Sequence, residues 1–275
     1  MRKLQVQLLK FTVAAALCFI CTGYVFAQEP ELTREQMKHF LLTAKVVKAR
    51  QTQKGVTNPW RLTLSDGTLT HDGGFQSIDE HRSSKQFQDG TTEINYVDSY
   101  KYNVAAYILA EMLGVEDMMP VYVERKWDRL TGSLSWWLKV KMDEGERLKQ
   151  KLRAPDQESW NRQMYRIRVF DELVYDNDAN LTNVLIGEDW RIYRVDFSRA
   201  FRLQKDLKYA PNLVQIDRKF LEKLKSLDEA ELTRKTKNLL TKPEIQGLMA
   251  RRDKIVAYFG KLITQKGESE VLFNY

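Results

Sequence analysis

Nine consecutive residues, Tyr175-Asp176-Asn177-Asp178-Ala179-Asn180-Leu181-Thr182-Asn183, form the densest polar stretch between apolar elements. Two apolar runs follow, Val184-Leu185-Ile186 and Ile192-Tyr193-Arg194-Val195, on either side of Gly187-Glu188-Asp189. These read as a buried hairpin. A hairpin sets its two ends side by side, so Asn183 and Asp196 are expected to meet. Asp178 precedes Asn183 by five residues, and Asp196 follows it by thirteen. Phosphoryl transfer uses such a set: one carboxylate orients an incoming hydroxyl, while an amide oxygen and a second carboxylate hold Mg²⁺ against phosphates. An Asp-x-x-x-x-Asn pattern alone would be an ordinary turn. The interval to Asp196 and the flanking strands set this one apart.

The rest of the chain divides into a strand-rich first half and a helical second half. Residues 31–54 read as one amphipathic helix, with Leu32, Met37, Phe40, Leu41, Ala44, Val47 and Ala49 near helical spacing. Gly55 to Pro59 breaks it. Residues 60–64 alternate as a strand, 65–68 signal a hairpin turn, and 73–78 read as a further strand. Residues 79–92 are polar and read as a loop. A helix is predicted over 99–113, with Gly114 just past its end. Residues 119–125 and 132–140 read as two strands around Leu130-Thr131-Gly132. Pro155-Asp156 opens a helix along Trp160, Met164, Ile167 and Val174. Helices are expected near 217–227, 229–240 and 244–263.

The first 27 residues are set aside as a secretory signal. Arg2, Lys3 and Lys10 precede an apolar run from Phe11 to Phe26, and Val25-Phe26-Ala27 offers a cleavage site. That run of 16 residues is shorter than the ~20 a spanning helix needs. No stable membrane span is therefore expected after cleavage, and the protein is expected outside the cytoplasm, periplasmic or secreted. Both cysteines, Cys18 and Cys21, lie in this segment. The remainder has no disulfide, no Cys zinc site and no Cys nucleophile. The segment also takes three of the 44 basic residues and none of the 37 acids, so the remainder is only mildly basic. That balance gives no nucleic-acid footprint. His39, His71 and His81 fall on separate elements, which argues against a His metal site. Neither a Walker-type loop nor a Gly-x-Ser-x-Gly element occurs.

The loop and hairpin resemble the atypical branch of the kinase-like superfamily: phosphoinositide 3- and 4-kinases, HipA-type kinases and secreted Golgi kinases. These share an Asp-x-x-x-x-Asn element followed by residues like Val195-Asp196-Phe197. The resemblance covers roughly residues 55–205. Val104 to Gly114 is similar to the helix placed behind the third strand, and Arg168 to Leu173 to the helix feeding the catalytic loop. It implies an α+β, two-lobed kinase-like fold, with a small β-rich N-lobe (28–144) and a helical C-lobe (145–275). The catalytic-loop-like segment would be 175–198. It further implies ATP or another nucleotide with Mg²⁺ or Mn²⁺. Asp178 would be the catalytic base, and Asn183 and Asp196 the metal ligands. Met142 and Glu144 would flank the adenine at the hinge, and Gly55-Val56-Thr57 would tip over the phosphates.

Three positions depart from that pattern. Gln76 stands where the third strand normally ends in Lys, and Asn103 where the helix supplies its partner Glu. An ion pair is thus replaced by two neutral amides, which is self-consistent because one charge alone would be unpaired. Lys85 and Arg61 are the candidate substitutes for the missing cation. Ala179 follows Asp178 where such enzymes often carry Arg. Two functions stay open: an exported kinase-like enzyme with an unknown acceptor (protein, lipid headgroup, sugar or metabolite), or a silent pseudokinase acting as an envelope binding module.

Overall fold

A computed structural model describes residues 32–52 and 59–275. The expected signal segment and the expected tip Gly55-Val56-Thr57 lie outside the described residues. Residues 33–275 cluster as one unit.

The first helix, α1 (Arg34–Thr43), opens with a capping box in which Thr33 and Gln36 satisfy each other's backbone. It stops at Thr43, and residues 45–51 form strand β1 (Lys45–Gln51). The single helix expected over 31–54 is therefore corrected to a helix and a strand. Val47 and Ala49 fit both periods, and Lys45, Lys48 and Arg50 are the charged residues of an exposed edge strand. Arg125 donates to the carbonyls of Leu41 and Ala44 and so satisfies the end of α1.

Strands β2 (Trp60–Ser65) and β3 (Thr70–Gln76) follow. The expected polar loop at 79–92 is also corrected. Residues 79–86 form β4 (Asp79–Gln86), which pairs antiparallel with β5 (Thr92–Ser99). This hairpin escapes an alternation test because β4 is exposed on both faces.

Helix α2 (Tyr100–Leu113) has the expected ends. Ser99 caps its start, and Gly114 closes it in the left-handed region at φ 68°. Strands β6 (Tyr122–Trp127) and β7 (Leu130–Trp136) complete an antiparallel five-stranded sheet in the order β1-β2-β3-β7-β6. The register places Gln76 opposite Ser133, Ser133 opposite Glu124, and Ser135 opposite Tyr122. Strand residues alternate in facing. One face of β3, β7 and β6 therefore carries a polar row. The other carries Phe75, Leu134 and Val123, all buried.

A short strand β8 (Met142–Asp143) leads into α3 (Glu144–Lys149). The long helix α4 (Gln157–Val174), capped by Asp156, buries Trp160, Ile167, Phe170 and Leu173. Strands β9 (Val184–Ile186) and β10 (Ile192–Arg194) form the expected hairpin, and β8 adds to its edge in the order β10-β9-β8. Beyond it come β11 (Ile216–Asp217), α5 (Arg218–Lys225), α6 (Glu229–Lys235), α7 (Lys242–Lys266), α8 (Glu268–Val271) and β12 (Leu272–Phe273). The fold is thus mixed, with a sheet-rich region followed by a helical one. Among the described residues no helix is long and apolar enough to cross a membrane.

Candidate functional site

Helix α4 ends at Tyr175, which sits in the left-handed region at φ 50° and turns the chain sharply into the polar loop. Asp176 Oδ1 accepts from Asp178 N at 2.9 Å, an Asx turn that fixes the loop's first bend. Asp178 is exposed. Its carboxylate accepts from Asn180 Nδ2 at 3.2 Å, and its carbonyl accepts from Asn183 Nδ2 at 3.1 Å. Asn183 Nδ2 is therefore spent on the loop, and the side-chain atom left to meet a cation is Oδ1. The hairpin does what its sequence requires, because Val195 N donates to Asn183 O at 2.9 Å. Asn183 therefore lies across the hairpin from Val195, the residue before Asp196.

Asp196 holds an unusual backbone, with φ 60° in a residue that is not glycine. Such conformations persist only where the surroundings over-determine them. Here Asp196 N faces the Tyr122 hydroxyl at 3.5 Å, and Ser198 N donates to Asp196 Oδ1 at 3.4 Å. Burial, with the Asp176 carboxylate nearby, pushes the Asp196 acid above its ordinary range, against the Ser198 hydrogen bonds. A hard cation would reverse that shift by favouring the charged form. An amide oxygen and a carboxylate are ligands of the kind Mg²⁺ and Mn²⁺ take when phosphates and water supply the rest. Among the described residues no three His, Cys, Asp or Glu side chains gather as a metal cluster.

Beneath the loop lies Arg194, fully buried. Its Nε donates to Asp171 of α4 at 3.1 Å, and its Nη2 donates to Asp176. Its Nη1 donates to the Val195 carbonyl and faces that of Asp196 at 3.4 Å. One guanidinium thus joins α4, the loop and the segment carrying Asp196. Burial pushes Asp171 up to about 6, with Arg194 opposing it. Sequence reading assigned Arg194 only to an apolar strand. The available signal was the charge itself, since a buried guanidinium requires partners.

The two substituted positions also meet. Asn103 Nδ2 donates to Gln76 Oε1 at 2.7 Å and faces Ser133 Oγ at 3.4 Å. Asn103 Oδ1 accepts from Phe197 N at 2.7 Å. This backbone donor fixes which end of the Asn103 amide faces Gln76. The polar row of the sheet therefore reaches the Asp196 segment through α2. A cavity of about 540 Å³ opens beside Gln76, with Trp60, Ser77, Asp79 and Glu80 among its walls.

Neither candidate substitute cation stands free. Arg61 donates to Asp72 at 2.5 Å and lies over the Trp137 ring at 4.4 Å. Lys85 Nζ donates to Tyr96 Oη at 2.8 Å and to Glu80 at 3.2 Å. At the expected hinge, Met142 is buried and pairs with Ile186. Both oxygens of Glu144 are taken by Arg147, at 2.6 and 2.8 Å. The Glu144 side chain is thus turned to its own helix.

No family model matches the chain, and no curated protein sequence does. Solved structures do. Hydra Fam20, solved with sugar, superposes with a TM-score of 0.62 at 14% identity, over 87% of this chain and 92% of its own. The Golgi casein kinase with Mn/ADP bound gives 0.58 at 13%, over 88% and 80%. The Helicobacter pylori proinflammatory kinase CtkA gives 0.53 at 10%, over 82% and 98%. The fold is therefore kinase-like, similar to those of Fam20, the Golgi casein kinase and CtkA.

Proposed function

We propose that this chain is an atypical kinase-like protein. It would bind a nucleotide with Mg²⁺ or Mn²⁺ and transfer a phosphoryl group to a hydroxyl acceptor. The observation that carries this reading is the geometry of the loop and hairpin: Asn183 Nδ2 donates to the Asp178 carbonyl, which leaves Oδ1 for a cation, and Val195, next to Asp196, donates its N–H to the Asn183 carbonyl. The likeness to a kinase bound to Mn/ADP supports the choice of ligand.

In this reading residues 28–144 form the covering lobe and 145–275 the helical lobe, with Met142 and Glu144 at the adenine edge. Glu144 contributes backbone there, since Arg147 holds its carboxylate. Asn183 and Asp196 hold the metal, which when bound neutralises phosphate charge. Asp178 orients the acceptor hydroxyl and takes its proton as the oxygen forms its bond to the γ-phosphorus. The bond from that phosphorus to the bridging oxygen breaks, and the nucleoside diphosphate leaves with the electron pair. Gln76 stands at the phosphate end, positioned by Asn103 through a hydrogen bond instead of an ion pair. The first 27 residues are read as an export signal, and the site as acting in the periplasm or outside the cell. The acceptor is a protein, lipid headgroup, sugar or small metabolite.

A second reading rests on the neutral Gln76–Asn103 pair: a pseudokinase that binds partners at the envelope without turnover. Both readings meet one experiment. The melting temperature of the full chain is measured with ATP, with and without Mg²⁺ or Mn²⁺, alongside ADP release. A ligand of the native state raises it. A metal-dependent rise with ADP release supports the kinase. A rise without release supports the pseudokinase. No rise at millimolar nucleotide overturns the kinase reading and favours the binding module.

A further inference from the structure

We infer that Glu93, on the β4–β5 hairpin, is a positioning residue that holds the two arms of the proposed site in register through one carboxylate. This rests on the site reading above. Glu93 Oε1 accepts from Arg202 Nη2 and, at 3.3 Å, from Asn177 Nδ2. Its Oε2 accepts from Arg199 Nη2. Asn177 adjoins Asp178 in the loop. Arg199 and Arg202 follow Asp196 on the other arm. The arms also touch directly, Asn177 N donating to Arg199 O at 3.3 Å. Without the carboxylate, that weak bond would stand beside two crowded guanidiniums.

The surroundings aim the clamp. Arg199 lies over the Tyr96 ring at 4.5 Å and the Phe87 ring at 5.5 Å, both on the hairpin. Arg202 Nη1 donates to Asn95 O at 3.2 Å. Ser99 N, at the end of β5, donates to Ser198 O at 2.9 Å. A two-stranded hairpin has little stability of its own, and this one exposes most of β4. Its placement depends on these contacts, and theirs on it.

In many kinases the segment after the metal-binding Asp is ordered by an added phosphate that pairs with arginines. Here the acid is built into the chain, and the arginines are on the segment itself. Ala179 leaves the loop without an arginine of its own next to Asp178, and Asn177 takes up the contact one position earlier. The site is therefore assembled without modification.

The test compares wild type with Glu93→Gln, Glu93→Asp and Arg199→Gln in the full chain. Amide hydrogen exchange of residues 176–183 and 196–202 is followed without nucleotide, and kcat and KM for metal-dependent ADP release with it. Glu93→Gln is expected to speed exchange in both arms together by at least about tenfold. It is expected to lower kcat by about ten- to a hundredfold while moving the KM for ATP less than threefold, the pattern of misplaced groups. Glu93→Asp should recover part of both, and Arg199→Gln should reproduce the exchange change. Unchanged exchange in either arm, or a loss confined to KM, overturns the inference. Wild type that releases no ADP counts against the proposed function, and the exchange measurement then still decides the clamp.

Discussion

Asn103 bridges Gln76 and Phe197: its amide nitrogen donates to Gln76 Oε1 and its oxygen accepts from Phe197 N, both at 2.7 Å. The partners lie on the sheet and beside Asp196, so one neutral amide links the polar row of β3 to the proposed metal ligand. A charged Lys–Glu pair would hold the same span by attraction. Here it is held by hydrogen bonds of fixed direction, and the helix that carries them is tied again where Tyr102 donates to Glu244 of α7.

Asn103→Ala leaves the buried Phe197 N–H without its acceptor, which costs about 1–3 kcal/mol. The expected result is a matching loss in urea unfolding and a fall in metal-dependent ADP release. Gln76→Lys alone should lower stability further than the double substitution Gln76→Lys with Asn103→Glu, because the double variant pairs the buried charge. Equal stabilities for the single and double variants would show that the two positions do not share an electrostatic environment.

Asp178 and Asp196 should separate chemistry from binding. Asp178→Ala is expected to reduce ADP release by about 10²–10⁴-fold, the usual worth of a positioned acid or base, while keeping the nucleotide-induced rise in melting temperature. Asp196→Ala is expected to abolish the metal dependence of that rise. If Asp178→Ala turns over like wild type, the hydroxyl-orienting role is wrong.

Removing Arg194 strands two carboxylates. Arg194→Met should destabilise the chain by about 3–5 kcal/mol, since Asp171 and Asp176 lose their shared partner inside the protein. Chemical denaturation reads this directly. A change under about 1 kcal/mol would mean that water or another donor replaces the guanidinium.

Asp171 gives stability a pH dependence of definite sign. Its folded value is near 6, pushed up by burial, against ~3.9 in an unfolded chain. The folded state therefore holds the proton more tightly between about pH 4 and 6. Stability from this group falls as pH rises through that window and stays at its lower level above it. Asp171→Asn should flatten the profile there by up to about 3 kcal/mol. Parallel profiles for the two proteins would assign the proton elsewhere.

What could be read from the sequence follows from where its signals are local. Helix α2 announces both ends, Ser99 through a side-chain cap and Gly114 through its left-handed backbone. The loop and hairpin were legible because a polar cluster sits between an amphipathic helix and two apolar strands, with Asp178, Asn183 and Asp196 at fixed intervals. The β4–β5 hairpin was not, because most of its side chains face water and its anchors are Arg199 and Arg202, over a hundred residues away in sequence. Arg194 was missed for a related reason: its carboxylate partners lie 23 and 18 residues earlier, in a helix and a turn. The boundary at Thr43 escaped because no glycine or proline marks it.

The left-handed backbone of Asp196 puts two demands on one position. Glycine takes that conformation without the steric penalty an aspartate bears. Libraries of this protein sorted for heat resistance alone would therefore enrich Gly at 196, whereas libraries sorted for turnover would keep Asp. The preferences of this single residue under the two selections would separate what the chain needs to fold from what it needs to work.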